Sequence, residues 1–134
     1  MKESIIQRSI LEYLFRIGLV IRYNNAPVFD PKLKRFRQAN SKFQPYGVSD
    51  IFFFSNGGFF AFEVKTEKEY KYLMKNYEEI RNGFFSHKSK NSTEKKKARL
   101  QSQILFLESF RKQGGIGDFV FNLKMVAKII KGDE

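Results

Sequence analysis

The feature that most constrains this chain is a pair of β-prone runs on either side of Asn56-Gly57. Asp50-Ile51-Phe52-Phe53-Phe54-Ser55 precedes that dipeptide, and Gly58-Phe59-Phe60-Ala61-Phe62-Glu63-Val64-Lys65 follows it. Asn-Gly between such runs is the strongest short-range signal for a tight hairpin. With a two-residue loop, Ser55 pairs with Gly58, and counting outward places Asp50 opposite Glu63. Opposed residues of an antiparallel pair share a face, with Cβ atoms about 4.5–5.5 Å apart. Lys65, two residues beyond Glu63, shares that face as well. Three charged groups therefore converge at one end of an apolar hairpin, whereas a three-residue loop would shift the register. The near-continuous apolar character of both runs predicts strands covered on both faces, hence helices on both sides of a sheet.

The rest of the chain supplies those helices. Ile6, Ile10, Leu14 and Ile17 form one stripe and predict a helix over 3–17, ended by Gly18. Glu3 and Gln7 share a different face of that helix. Leu19 to Tyr23 reads as a short strand. Residues 24–47 resist assignment, being broken by Pro27, Pro31 and Pro45. Residues 67–82 read as a helix with Tyr70, Leu73, Tyr77 and Ile80 on one stripe. Residues 83–96 read as a mobile basic loop. A helix from about 97 to 113 follows, ended by Gly114-Gly115. Ile116 to Asn122 reads as a strand and Leu123 to Lys131 as a final helix. The 134 residues predict one domain with one core, α/β in class, with a central mixed sheet flanked by helices.

The formal net charge is +11. A surplus that large in a small chain favours a polyanionic partner, nucleic acid first. The run Lys32, Lys34, Arg35, Arg37 is either a solvated loop or a phosphate-contacting arm. Lys88 and Lys90 lie in a second basic stretch, and the whole 88–99 region shares that reading. No apolar segment approaches the length that spans a membrane. The absence of cysteine excludes disulfides, zinc-thiolate sites and thiol nucleophiles. The N-terminus lacks the apolar block of a signal peptide, so a cytoplasmic protein is expected. The 16 Phe sit mostly in the strand-like runs and read as core.

Two carboxylates facing each other at hairpin distance repel, and one tends to keep its proton. A divalent cation removes the conflict. Mg2+ binds through one or two carboxylates plus water and substrate phosphates, and Mn2+ is the natural substitute. Such an ion can act on a phosphodiester, and an ammonium beside it, here Lys65, can offset charge developing on the phosphate. An isolated Asp and Glu-x-Lys would by itself read as a structural ion pair at a strand end. His87 reads as a solvated loop histidine, without metal-ligand spacing around it. Gly57-Gly58 lacks the Walker pattern of a phosphate-cradling loop.

Asp50, a strand, a turn, a strand and Glu63-Val64-Lys65 together resemble the PD-(D/E)xK nuclease superfamily. Ser49 stands where its usual Pro precedes the Asp. The order helix, strand, acidic hairpin, helix, strand, helix resembles that superfamily's restriction-endonuclease-like αβββαβ core. Glu3-Ser4-Ile5-Ile6-Gln7, with Gln103-Ile104-Leu105-Phe106-Leu107 and Gly114-Gly115, is most similar to the VRR-NUC family of virus-type replication–repair nucleases. The resemblance implies that Asp50 and Glu63 bind metal and that Lys65 acts on the attacking water. It also implies that Glu3 is an auxiliary metal-site acid and that Gln103 contacts metal-bound water or substrate. Gln103, like Gln101, reads alternatively as an ordinary polar helix residue.

The function expected is divalent-metal-dependent hydrolysis of DNA phosphodiesters, as a structure-selective endonuclease, since phosphate contacts carry no sequence information. By resemblance a homodimer and a phage or mobile-element origin are expected, with a role in DNA repair or recombination. The rivals are a Holliday junction resolvase of the same superfamily, a non-catalytic nucleic-acid-binding protein, and a peripheral membrane protein using the basic loops. Only the first shares the facing carboxylates.

Overall fold

The computed structural model describes residues 1–23, 28–30, 32, 34–37 and 47–132. The elements in chain order are α1 (Glu3–Ile17), β1 (Leu19–Arg22), β2 (Val28–Asp30), β3 (Arg35–Arg37), β4 (Ile51–Ser55) and β5 (Gly58–Val64). They continue with α2 (Glu67–Lys75), α3 (Tyr77–Asn82), α4 (Ser92–Lys112), β6 (Ile116–Val120) and α5 (Leu123–Lys131).

The hairpin organises the sheet. Asn56 and Gly57 have φ of 50° and 79°, the left-handed pair that a two-residue type I′ turn requires. Ser55 then pairs with Gly58 and Ile51 with Phe62, which is the register counted from the sequence. β1 pairs antiparallel with the outer side of β4. β6 pairs parallel with β5, reached through the crossover of α2, α3 and α4 that a parallel neighbour demands. The result is a four-stranded mixed sheet in the order β1-β4-β5-β6, flanked by helices. The α/β class and mixed sheet expected from the sequence are what the chain forms. A separate antiparallel pair, β2 with β3, lies in the segment that resisted assignment.

Alternation along β4 and β5 sorts their side chains onto two cores. Ile51, Phe53, Phe60, Phe62 and Val64 pack with Ile6, Ile10 and Leu14 of α1 and Val126 of α5. On the other face, Ala61 packs with Leu73, Ile80, Leu100, Ile104, Leu107 and Phe119. Phe52 meets Phe106 and Phe110 of α4, at centroid distances of 6.1 and 6.0 Å. Glu63 and Lys65 have the parity of Ala61, and Asp50 that of Phe52, so all three belong to the α4 face.

Several local expectations need correction. The stripe of α1 buries Ile6, Ile10 and Leu14, but Ile17 is 42 % exposed at the helix end. The helix expected over 67–82 is two helices that meet at Asn76, whose side-chain amide donates to the Tyr72 carbonyl at 2.9 Å. The strand from Leu19 ends at Arg22 rather than Tyr23. The strand from Ile116 ends at Val120, because Asn122 caps α5 by accepting from Met125 N. The basic stretch 83–96 is not all loop, since α4 begins at Ser92. The Asn91 side chain accepts from Thr93 N and Glu94 N at 2.9 and 3.0 Å and nucleates that first turn. Among the described residues no helix is long and apolar enough to cross a membrane.

Candidate active site

The charged end of the hairpin lies where β4 begins and β5 and β6 end. Ligands of open α/β sheets gather outside the carboxyl ends of such strands. Asp50 stands one residue before β4, and its Oδ2 accepts Val64 N at 3.0 Å. Its own carbonyl accepts Tyr23 N at 2.8 Å. Lys65 N donates to Val120 O at 2.9 Å, extending the β5–β6 pairing past Glu63. The backbone thus holds Asp50, Glu63 and Lys65 from both sides.

α4 closes the site from above. Gln103 Nε2 donates to Glu63 Oε1 at 2.9 Å, and Lys65 Nζ lies 3.8 Å from the same oxygen. The nearby Gln101 does something different. Its amide donates to Gly83 O at 2.8 Å and to Arg81 O at 3.2 Å, closing the end of α3. Of the two glutamines, only Gln103 reaches the acidic pair.

Glu63 and Lys65 are 4 % and 3 % exposed, whereas Asp50 and Glu3 are half-buried. The site therefore opens to solvent on the side of Asp50 and Glu3. Glu3 comes from the first turn of α1, a helix packed on the opposite face of the sheet. Its carboxyl nevertheless senses both Lys65 and Asp50.

The carboxyls titrate abnormally for a shared reason. Burial raises Asp50 above the usual carboxylate range, against the lowering effects of the Val64 N–H, Glu63 and Lys65. Burial and the facing Asp50 raise Glu63 well above that range, with Lys65 opposing. Burial raises Glu3, with Lys65 opposing and Asp50 reinforcing. Two carboxyls so placed resist being ionised together without a cation.

Three buried oxygens have no hydrogen-bond partner among the described residues: Glu63 Oε2, Gln103 Oε1 and Ser49 Oγ. Buried polar atoms normally find partners. Two of these belong to the side chains joined at the site, and the third is the neighbour of Asp50. An oxygen-rich, partner-poor set beside two mutually repelling carboxyls fits a hard divalent cation. Among the described residues no group of three or more His, Cys, Asp or Glu forms a metal cage. An ion that keeps several waters needs only one or two carboxylates.

Gly47 locks the two halves of the site together. Its φ is +75°, and a Cβ there would collide with the Ser102 carbonyl and come within 2.6 Å of Gln103 N. The loop before Asp50 thus rests directly on the α4 backbone at Gln103. Gly47→Ala should lose about 2–5 kcal/mol from combined backbone strain and overpacking, read by urea denaturation.

Other candidates are placed less centrally. Gln7 is half-buried one turn beyond Glu3. Lys32, Lys34, Lys88 and Lys90 are exposed. Arg35 and Arg37 occupy β3, and their side chains lie outside the described residues. His87 is exposed and joins Ser102 Oγ through Nε2 at 2.9 Å. Sequence reasoning passed over Glu69, which bears on Glu3, and Arg22, which bears on Asp50; Arg99, read only as part of the basic 88–99 region, also bears on Glu3. None stands at a motif position, and only the fold brings them near. No family model and no curated protein matches the chain.

Proposed function

We propose that this chain is a divalent-metal-dependent nuclease of the PD-(D/E)xK type, cutting DNA phosphodiesters, on its resemblance to VRR-NUC nucleases. The observation that carries the reading is the Asp50–Glu63 pair, held face to face beside Lys65 and Gln103 with Glu63 Oε2 lacking a donor. A structural ion pair would not set two carboxyls against each other in a buried place. The net charge of +11 supports a polyanionic substrate.

Asp50 and Glu63 would hold Mg2+ or Mn2+, with Glu3 as an outlying acid. When bound, the ion supplies Lewis acidity toward a phosphoryl oxygen and a more acidic water. The protein's own groups divide the remaining work. The Val64 N–H fixes the Asp50 carboxylate, and the Gln103 amide fixes Glu63 through Oε1, leaving Oε2 for the cation. Lys65 is buried, so its ammonium acts with little solvent screening. It offsets negative charge that builds on the phosphate as the bond to the attacking oxygen forms. Phosphate contacts without base contacts favour structure-selective endonucleolytic cutting, and a homodimer would cover more of a branched substrate than one domain.

The test is nicking of supercoiled plasmid with Mg2+ or Mn2+, with and without chelator. Asp50→Ala should reduce cutting to background while leaving DNA binding intact or tighter. Wild-type cutting by that variant would overturn the assignment. A panel of linear, flapped and four-way DNAs then names the substrate, and a strong preference for four-way junctions would make the protein a junction resolvase.

A further inference from the structure

An open cavity of about 430 Å³ lies between the 84–91 segment and the first half of α4, lined by His87, Ser92, Lys95, Lys96 and Arg99. The four α4 residues follow spacings of three and four, so they occupy one stripe of the helix. Continued by four residues beyond Arg99, the same stripe reaches Gln103, the residue bonded to Glu63. One helix face thus carries a row of cations directly to the acidic pair.

The charges of that row are available to a ligand. Lys95 and Arg99 are exposed, and neither forms an ion pair among the described residues. Lys96 is held over the Tyr72 ring at 4.2 Å, which steadies its position while keeping its charge. Lys97, on another face, is already neutralised by Glu79 at 2.7 Å. His87 is oriented by Ser102 Oγ. That hydroxyl also donates to Ala98 O. Arg99 lines the cavity one helical turn before Gln103, which places it at the junction of cavity and acidic site.

We infer that this cavity seats phosphates of the DNA strand being cut, with the strand running along α4 from Lys95 and Lys96 past Arg99 to Gln103. The inference rests on the nuclease reading and adds the path of the substrate to it. Seven residues of helix from Lys96 to Gln103 span about 10 Å. At about 3.4 Å of rise per nucleotide along one strand, that distance covers roughly three nucleotides. Successive phosphates can therefore meet Lys95 or Lys96, then Arg99, before the backbone reaches the carboxyls. Lys88 and Lys90 do not line this cavity, whose cations come from the helical part of the basic 88–99 region.

The experiment is binding of a fluorescein-labelled 12-nucleotide DNA strand, followed by anisotropy in EDTA so that no cutting intervenes, over a range of salt. Lys95→Ala/Arg99→Ala should weaken binding about tenfold at low salt. It should also lower the slope of log K against log salt by about 1.4, or 0.7 for each phosphate contact removed. Lys124→Ala/Lys128→Ala removes equal charge from α5 on the opposite face of the sheet and should leave the slope unchanged. Equal losses in both double variants, or none in the first, overturn the proposed path. Loss confined to the first variant, together with wild-type cutting by Asp50→Ala, would keep the groove and refute the nuclease. Background cutting by Asp50→Ala with unaltered binding by Lys95→Ala/Arg99→Ala would do the reverse.

Discussion

Glu63→Gln should reduce metal-dependent cutting by about a thousandfold or more and, in chelator at neutral pH, make the protein more stable. Both effects have one cause. Glu63 is buried, faces Asp50 and has one oxygen without a donor. An amide of the same shape carries no charge, still accepts from Gln103 Nε2, and gives Asp50 a hydrogen-bond donor. Relieving a buried unsatisfied polar group is worth about 1–3 kcal/mol. At about 4 °C per kcal/mol for a domain of this size, the melting temperature should rise by about 4–12 °C. A residue kept at a cost in stability is what an ion-binding acid looks like. Thermal scans in EDTA, paired with plasmid nicking, measure both quantities. A variant that is less stable and equally active would mean that Glu63 is an ordinary structural group.

Magnesium should stabilise the wild-type protein far more at pH 8 than at pH 5. Burial raises Glu3, Asp50 and Glu63 in the folded state. An acid held above its unfolded value binds more protons folded than unfolded, so its stabilisation is complete below about pH 4. That stabilisation disappears as pH rises through the folded values. In chelator, these three carboxyls therefore make the protein less stable from about pH 4 toward neutrality. A cation binds their ionised forms, competes with the proton and gains as pH rises. At a hundredfold excess over Kd the gain at pH 8 is about 2.7 kcal/mol, or about 10 °C. Melting curves with Mg2+ or EDTA from pH 5 to 8 decide the matter. Equal shifts at both ends of the range, or a full shift in Glu63→Gln, would remove the acidic pair from ion binding.

The site was legible to the extent that its geometry is local. Asn56-Gly57 dictates a two-residue turn, the turn dictates the register, and the register carries Asp50, Glu63 and Lys65 to one end of one face. The bounds of α1 and α5 were equally readable, because each has an uninterrupted stripe beside a stop or cap signal. The start of α4 was readable and missed. Asn91 followed three residues later by Glu94 is a helix-capping pattern, but the lysines around it suggested a loop. That error hid the stripe from Ser92 to Gln103.

What the chain determines by itself is pairing between residues joined by a short turn, where loop closure leaves few alternatives. Only tertiary packing could bring Gln103 to Glu63 and Gly47 onto the α4 backbone. Those contacts join residues from separate elements, and their distances depend on how α4 settles over the sheet once Leu100, Ile104 and Leu107 are buried against it. Side-chain spacing within one element has no bearing on that placement, because hydrophobic burial sets it and is not directional.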